Sequence, residues 1–173
     1  FYLQKDIKDS VISLQGAGSV GSQLAKLLAD MGATIYVQDI DQVKLQQLST
    51  ENIHIVDNAL TQECDLLSPC AVGGIFTESS IQNLGCKIIA GGANNQLLNS
   101  SIDSHLYKKG IHYIPDVLIN SGGVIGLTKD ILKRSDLQIE EDLKLIGKRA
   151  LDYMSFAKGN NISVLDSIDD LLI

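Results

Sequence analysis

Residues 11–15, Val-Ile-Ser-Leu-Gln, form a short run of strand formers that stops at Gly16, and the periodicity then changes. Val20, Leu24, Leu27, Leu28 and Met31 recur at i, i+4, i+7, i+8 and i+11, the stripe of an amphipathic helix, and Gly32 closes it as a C-cap. Thr34-Ile35-Tyr36-Val37-Gln38 is a second run of strand formers, closed by Asp39. Strand, helix and strand in this succession make a βαβ unit, whose strands must be parallel and whose crossover must be right-handed.

The alternation continues. Residues 41–48 fit a short helix, and 53–56, 65–67 and 87–90 fit strands separated by Ser-, Asn- and Gly-rich loops. Residues 102–109 fit a helix stopped by Gly110, and 111–114 a strand stopped by Pro115. The pattern predicts an α/β fold, a Rossmann-type doubly wound parallel sheet with both faces covered. Beyond Gly122 only helical spacing remains: Ile139, Leu143, Ile146, Ala150, Met154 and Ala157 hold it for five turns. Those C-terminal helices are expected to pack back on the fold or on a neighbouring domain. The expected organisation is one domain over 1–173, with an α/β core at 11–134 and a helical segment at 135–173.

Composition narrows the class. The 173 residues can bury a sizeable core, and 45% hydrophobic with 20% charged residues is globular, not disordered. With no Trp and 5% aromatic residues, the core is expected to be mainly Ile, Leu, Val and Ala. Fourteen Lys and Arg against 21 Asp and Glu give a net charge of -7, which argues against nucleic-acid or anionic-lipid partners. No apolar run approaches the length of a membrane span. Cys64, Cys70 and Cys86 have neither C-x-x-C nor zinc-ligand spacing, and His54, His105 and His112 form no H-E-x-x-H, so no metal site is expected. Reduced thiols in a cytoplasmic protein are the expectation. The chain opens Phe1-Tyr2-Leu3 with neither Met nor a signal core, and so reads as cut from something longer.

The chemistry enters at Gly16-Ala17-Gly18-Ser19-Val20-Gly21, a G-x-G-x-x-G string between a predicted strand and a predicted helix. Asp39 follows Gly21 by 18 residues, at the end of the second strand. In that context the string is a dinucleotide-binding fingerprint. Gly16 permits the tight turn, Gly18 lets the backbone approach a pyrophosphate, and Gly21 lets the helix lie close on the sheet. The first-turn N–H groups from Ser19 onward lack intrahelical partners, and the helix dipole adds positive potential there. Asp39, with Ile40 beside it, would accept hydrogen bonds from both adenosine ribose hydroxyls and repel a 2′-phosphate, which favours NAD over NADP. Lys44 could counter Asp39 and admit a phosphate, although it lies inside the next predicted helix.

Three further segments follow in order: Ser68-Pro69-Cys70-Ala71-Val72-Gly73-Gly74, then 89–97 containing Gly-Gly-Ala-Asn-Asn-Gln, then 113–124 containing Pro-Asp-Val-Leu-Ile-Asn-Ser-Gly-Gly-Val. Together with Gly16 to Gly21 they resemble the cofactor-binding domain of the Glu/Leu/Phe/Val dehydrogenase family, most closely its leucine and phenylalanine dehydrogenase branch. The resemblance covers nearly the whole chain, from about Val11 onward. It implies oxidative deamination of an L-amino acid to a 2-oxo acid and ammonia, with NAD as hydride acceptor. By the resemblance, Cys70 and Ala71 run beside the nicotinamide side, though a small packing thiol is the simpler reading of Cys70. Asn94 and Asn95 follow a strand end, and Asn95 is implied to reach the nicotinamide ribose and the substrate carboxylate. Asn120 is implied to hold the nicotinamide end, and Val124 and Leu127 to wall the substrate side-chain pocket or, alternatively, to belong to the core. Ser121 stands where the family usually has Ala, and Val117 where an aromatic residue is common.

Deamination also needs a general base and a cation for the substrate carboxylate. In the family, lysines and an aspartate of a preceding domain supply them, one lysine lying in Gly-Gly-x-Lys. Here Gly73-Gly74, Gly91-Gly92 and Gly122-Gly123 are followed by Ile75, Ala93 and Val124, so no catalytic residue is expected in this chain and a preceding catalytic domain is its expected partner. The resemblance also implies a homo-oligomer. The other readings are a regulatory NAD-sensing module, a dehydrogenase of glutamate or shikimate type, and a paralogue that binds NAD without catalysis.

Overall fold

A computed structural model of the chain describes residues 2–48 and 50–171. Six short strands, β1 (Val11–Gln15), β2 (Thr34–Gln38), β3 (Ile53–Ile55), β4 (Leu66–Pro69), β5 (Ile88–Ile89) and β6 (His112–Tyr113), form one sheet in the order β3-β2-β1-β4-β5-β6. Every pairing is parallel, and the register sets Ile12 opposite Ile35 on one side and Leu66 on the other. The chain leaves β1 in one direction through β2 and β3, then returns beside β1 as β4 and proceeds the other way. Loops diverge at the carboxyl ends of β1 and β4, the place where such sheets take ligands.

The strands are buried because each face has its own cover. Helix α1 (Ser19–Asp30) and α2 (Gln42–Gln46) cover Ile12, Leu14, Ile35, Val37 and Ile53. Helix α3 (Ser101–Lys108) puts Ile102 and Leu106 against Leu67, Ile89 and Tyr113, together with Ile81 from a 3₁₀ turn at Ser80–Asn83. Four helices follow: α4 (Asp116–Ile119), α5 (Gly122–Ile131), α6 (Asp136–Asn160) and α7 (Asp166–Leu171). Side chains alternate along a strand, so Ile88 and Ile114 point away from α3, and there they meet Ala157 of α6 and Val164. Leu66 touches both this cluster and the α1 cluster, so α6 completes the face that α1 begins.

Two sequence expectations, for α1 and for α6, need correction. The α1 stripe does not face the sheet as a unit: Gly21, Ala25 and Ala29 are buried, Leu24 and Leu28 flank them, and Val20, Leu27 and Met31 are exposed, Leu27 to 59%. The cause is distance, because a helix that must touch the β1 turn can place only small side chains along its contact line. As the loops read between these strands imply, the crossover from β3 to β4 has no helix, and β4 reaches β5 through only the 3₁₀ turn. On α6, Ala150 and Ala157 are buried but Leu143 is exposed, because the first half of the helix leans on α5 and not on the sheet.

The helix ends follow the chemistry. Gly32 (φ +91°) lies just past α1 in the left-handed region, its N–H donating to the Ala29 carbonyl while Ala33 N–H donates to Leu28, a Schellman closure. Asp41 caps α2 by accepting from Val43 N–H, and Ser135 with Gln138 forms a capping box on α6. Among the described residues, no helix is long and apolar enough to cross a membrane.

At the amino end of β4 the buried Asp65 carboxylate accepts from Val11 N–H (3.0 Å) and Lys87 Nζ (2.9 Å) and pairs with Lys5. Burial opposes its charge, but Lys5, the Val11 N–H and Lys87 outweigh it and bring the carboxyl down to about 2. The neighbouring Cys64 and Cys86 thiols are pushed up to about 12 by burial and are core packing groups. An unfolded Asp titrates near pH 4, so this contribution to stability is complete above pH ~4 and is lost as pH falls toward ~2. Replacing Asp65→Asn is expected to cost about 2 kcal/mol in urea unfolding at pH 7 and to flatten the acid limb of stability against pH. A variant as acid-sensitive as the parent would contradict this.

Candidate functional site

The sequence motifs converge on the carboxyl edge of the sheet. The turn after β1 carries Gly16 to Gly21, the end of β2 carries Asp39 and Ile40, and the end of β4 carries Cys70 and Ala71. Asn94 and Asn95 follow β5, Asn120 follows α4, and Val124 and Leu127 sit on α5. Clefts of about 540 Å³ beside Asp65 and about 330 Å³ between Glu78 and Lys109 contain none of these residues. Ser19, Ile40, Ala71, Asn94 and Asn95 are exposed, so the site is an open ledge across strand ends.

Each fingerprint glycine has a distinct physical reason. Gly16 adopts φ +107°, and a Cβ there would lie 2.7 Å from the Ala71 Cβ. At Gly21 a Cβ would stand 2.0 Å from the Gly16 carbonyl oxygen and 3.2 Å from Cys70 Cβ, so helix and turn touch through a missing side chain. Gly18 differs: a Cβ there would have no protein atom within 4 Å. Packing therefore does not demand glycine at position 18, and the open space in front of it is a cradle for an approaching group. Gly18 is also the N-cap of α1 and has no side chain to cap it, so the first-turn N–H groups face that space uncapped.

Asp39 braces the cradle. One carboxylate oxygen accepts from Ala17 N–H (2.5 Å) and the other from Asp41 N–H (2.9 Å). Burial disfavours its charge, but the N–H groups of Ala17 and Asp41 and the Lys44 cation prevail and hold the carboxyl below its ordinary range. Each oxygen keeps a further lone pair for a hydroxyl ligand. Ile40 is 98% exposed, an apolar side chain beside the acid with only solvent to meet. A cleft of about 200 Å³ runs from Gly18 and Ser19 between α1 and α2, with Lys26 and Lys44 on its walls. Lys44 pairs with Asp41 at 3.4 Å.

The other end of the ledge is built from amides. Asn95 has φ +52°, and its N–H donates to Asp116 Oδ2 (2.9 Å). The Asn120 amide donates to Asn94 Oδ1, joining the loops after β5 and α4. Gln96 is fully buried and its Nε2 donates to the carbonyls of Gly91 (2.8 Å) and Ala93 (2.9 Å), stapling the loop from beneath. Cys70 Sγ lies 3.5 Å from Ser68 Oγ and its Cβ abuts Gly21, which accords with a packing thiol. Val124 and Leu127 are 67% and 64% exposed on one face of α5, so they are surface residues and not core. Sequence reading did not place Asp116, Gln96 or Gly73 in the site. All three lie inside the motif segments, but no periodicity marks a buried Gln in a loop or an acid whose partner lies on another loop.

A parallel sheet in the order 3-2-1-4-5-6 with a glycine turn and an acid at the next strand end defines a dinucleotide-binding domain of the Rossmann class. Residues 37–150 match the Glutamate/Leucine/Phenylalanine/Valine dehydrogenase family, and the chain belongs to that family. It is 34% identical to phenylalanine dehydrogenase of Thermoactinomyces intermedius over 172 residues, covering 96% of this chain and 47% of that protein. It is 34% identical to leucine dehydrogenase of the same organism over 160 residues, 90% of this chain and 43% of that one. The crystal structure of L-tryptophan dehydrogenase from Nostoc punctiforme superimposes with a TM-score of 0.91 at 29% identity, over 98% of this chain and 52% of that one. The chain thus spans about half the length of the relatives it matches.

The glycine geometry separates folding from binding. Gly21→Ala is expected to cost about 3 kcal/mol in urea unfolding, because backbone must move. Gly18→Ala is expected to cost under about 1 kcal/mol while weakening any binding of a nicotinamide dinucleotide, read by calorimetry, about tenfold or more. Equal stability losses in the two variants would contradict the assignment.

Proposed function

We propose that this chain is the NAD-binding part of an amino-acid dehydrogenase. The reaction converts an apolar L-amino acid of the leucine, valine or phenylalanine type, with water and NAD+, to a 2-oxo acid, ammonium, NADH and a proton. The observation that carries the reading is the open cradle at Gly18 on the same ledge as Asn94, Asn95 and Asn120, in a chain of this family.

When bound, NAD supplies the hydride acceptor. The N–H groups opening α1 would hold its pyrophosphate, and Asp39 its adenosine ribose through the remaining lone pairs. Ile40 would cover one adenine face. Cys70 and Ala71 line the ledge beside the nicotinamide side, Asn95 would hold the nicotinamide ribose and the substrate carboxylate, and Asn120 would orient the nicotinamide end. Val124 and Leu127 give the substrate side chain an apolar wall that suits a medium-sized hydrocarbon and not a second carboxylate. The general base and the cation for the substrate carboxylate belong to a preceding catalytic domain, whose closure over the ledge would exclude water. A cytoplasmic homo-oligomer completes the proposal, in keeping with three free thiols.

Cofactor choice tests the Asp39 part of the reading. NAD is expected to bind this chain at least about tenfold tighter than NADP, and Asp39→Ala to narrow the gap, since a tenfold ratio is about 1.4 kcal/mol of charge repulsion and lost ribose bonds. Tighter binding of NADP than NAD would overturn that assignment. For the reaction, the full-length protein is expected to reduce NAD with leucine, valine or phenylalanine, whereas this chain alone binds NAD without turnover. Full-length protein inactive on every apolar amino acid would overturn the proposal.

A further inference from the structure

We propose that Asp116 is the positioning residue of the nicotinamide end, clamping the Asn94–Asn95 turn and Asn120 into one rigid unit. The inference rests on the reading of Asn95 and Asn120 given above, and concerns what holds them in place.

Asp116 opens α4 directly after Pro115, whose ring fixes the approach of the chain. An acid in a helical first turn ordinarily serves its own helix. Here the carboxylate reaches outside α4 with both oxygens: Oδ2 accepts from Asn95 N–H at 2.9 Å, and Oδ1 accepts from Tyr113 O–H at 3.4 Å. Its backbone carbonyl accepts from Asn120 N–H at 2.9 Å. The Asn120 amide in turn donates to Asn94 Oδ1. The path from Asp116 through Asn95 and Asn94 to Asn120 and back is a closed ring of hydrogen bonds around the loops that carry all three amides.

The turn is held from both sides. Asn95 sits at φ +52°, a left-handed conformation that Asn tolerates in turns, and its peptide is fixed there by partners on other loops. From the other side, Gly74 N–H donates to the Asn95 carbonyl at 2.7 Å. A Cβ on Gly73 would stand 2.3 Å from the Asn94 carbonyl oxygen, so that neighbour is pressed against the turn as well. The Asn95 peptide is thereby gripped by its N–H and its C=O at once. Tyr113 is buried, and burial and the Asp116 charge both push its hydroxyl upward, so it stays protonated and donates. Because a displacement of about 1 Å can cost on the order of 10²-fold in rate, holding this turn is a kinetic matter and not only a structural one.

The test uses the full-length protein with Asp116→Ala, Asp116→Asn and Asn95→Ala. Hydrogen exchange without ligands reads the clamp directly: Asp116→Ala is expected to speed exchange of the Asn95 amide about tenfold or more, through loss of a charge-assisted bond. In kinetics it is expected to lower kcat and raise KM for the amino acid, together about 10²-fold in kcat/KM. NADH affinity should change less than about fivefold, because α1 and Asp39 carry most of that binding. Asp116→Asn keeps an acceptor for the Asn95 N–H and should recover most of the loss. If Asp116→Ala fails to accumulate, Tyr113→Phe removes one bond to the same carboxylate and should speed that exchange about twofold. Unchanged exchange in either variant overturns the proposal, as does a lowered Tm with unaltered kinetics. If Asn95→Ala is damaging while Asp116→Ala is not, the clamp alone fails. If Asn95→Ala leaves amino-acid kinetics intact, the functional reading fails and the clamp's role falls with it.

Discussion

Where α1 meets the β1 turn, the molecule has a contact that admits no side chain, and the rest of the site is built outward from it. A Cβ on Gly21 would lie 2.0 Å from the Gly16 carbonyl oxygen, so the amino end of α1 rests directly on the backbone of the turn. That closeness places the uncapped N–H groups of α1 over the crevice between β1 and β4, where the strand order reverses. It also dictates the rest of the helix. Ala25 and Ala29 continue the contact line, the leucines are displaced to its flanks, and Leu27 and Met31 turn outward.

The two ends of the ledge use opposite chemistry. At the Gly18 end, backbone N–H groups and a helix terminus give positive potential, balanced by Asp39, which is itself pinned by two N–H groups. At the other end the groups are neutral carboxamides, held by Asp116, Gly74 and the buried Gln96. A protein of net charge -7 can therefore receive an anionic ligand through one local terminus, while Asp39 and Asp116 brace the loops around it.

Much of this was legible in the chain before any fold was known. The runs at β1 and β2 and the change to helical period between them locate the βαβ unit, because alternation and turn chemistry are local properties. The motif residues Gly16 to Gly21, Asp39, Asn94, Asn95 and Asn120 were legible as types in order, and the fold brings them to one edge. What depends on distance through space was not. The α1 stripe looked like a core face, and only the Gly21 contact reveals that alanines take that place. Gln96 and Asp116 carry no periodic signal, since their partners, the Gly91 and Ala93 carbonyls and the Asn95 N–H, lie in loops whose approach only the fold creates.

The most direct measurement is a crystal structure of the chain with NAD. It should place the pyrophosphate within hydrogen-bond reach of the first-turn N–H groups of α1 in front of Gly18. The adenosine ribose hydroxyls should lie on Asp39, and the nicotinamide ribose beside Asn95. NAD bound elsewhere, or a pyrophosphate that leaves the Gly18 cradle empty, would contradict the account.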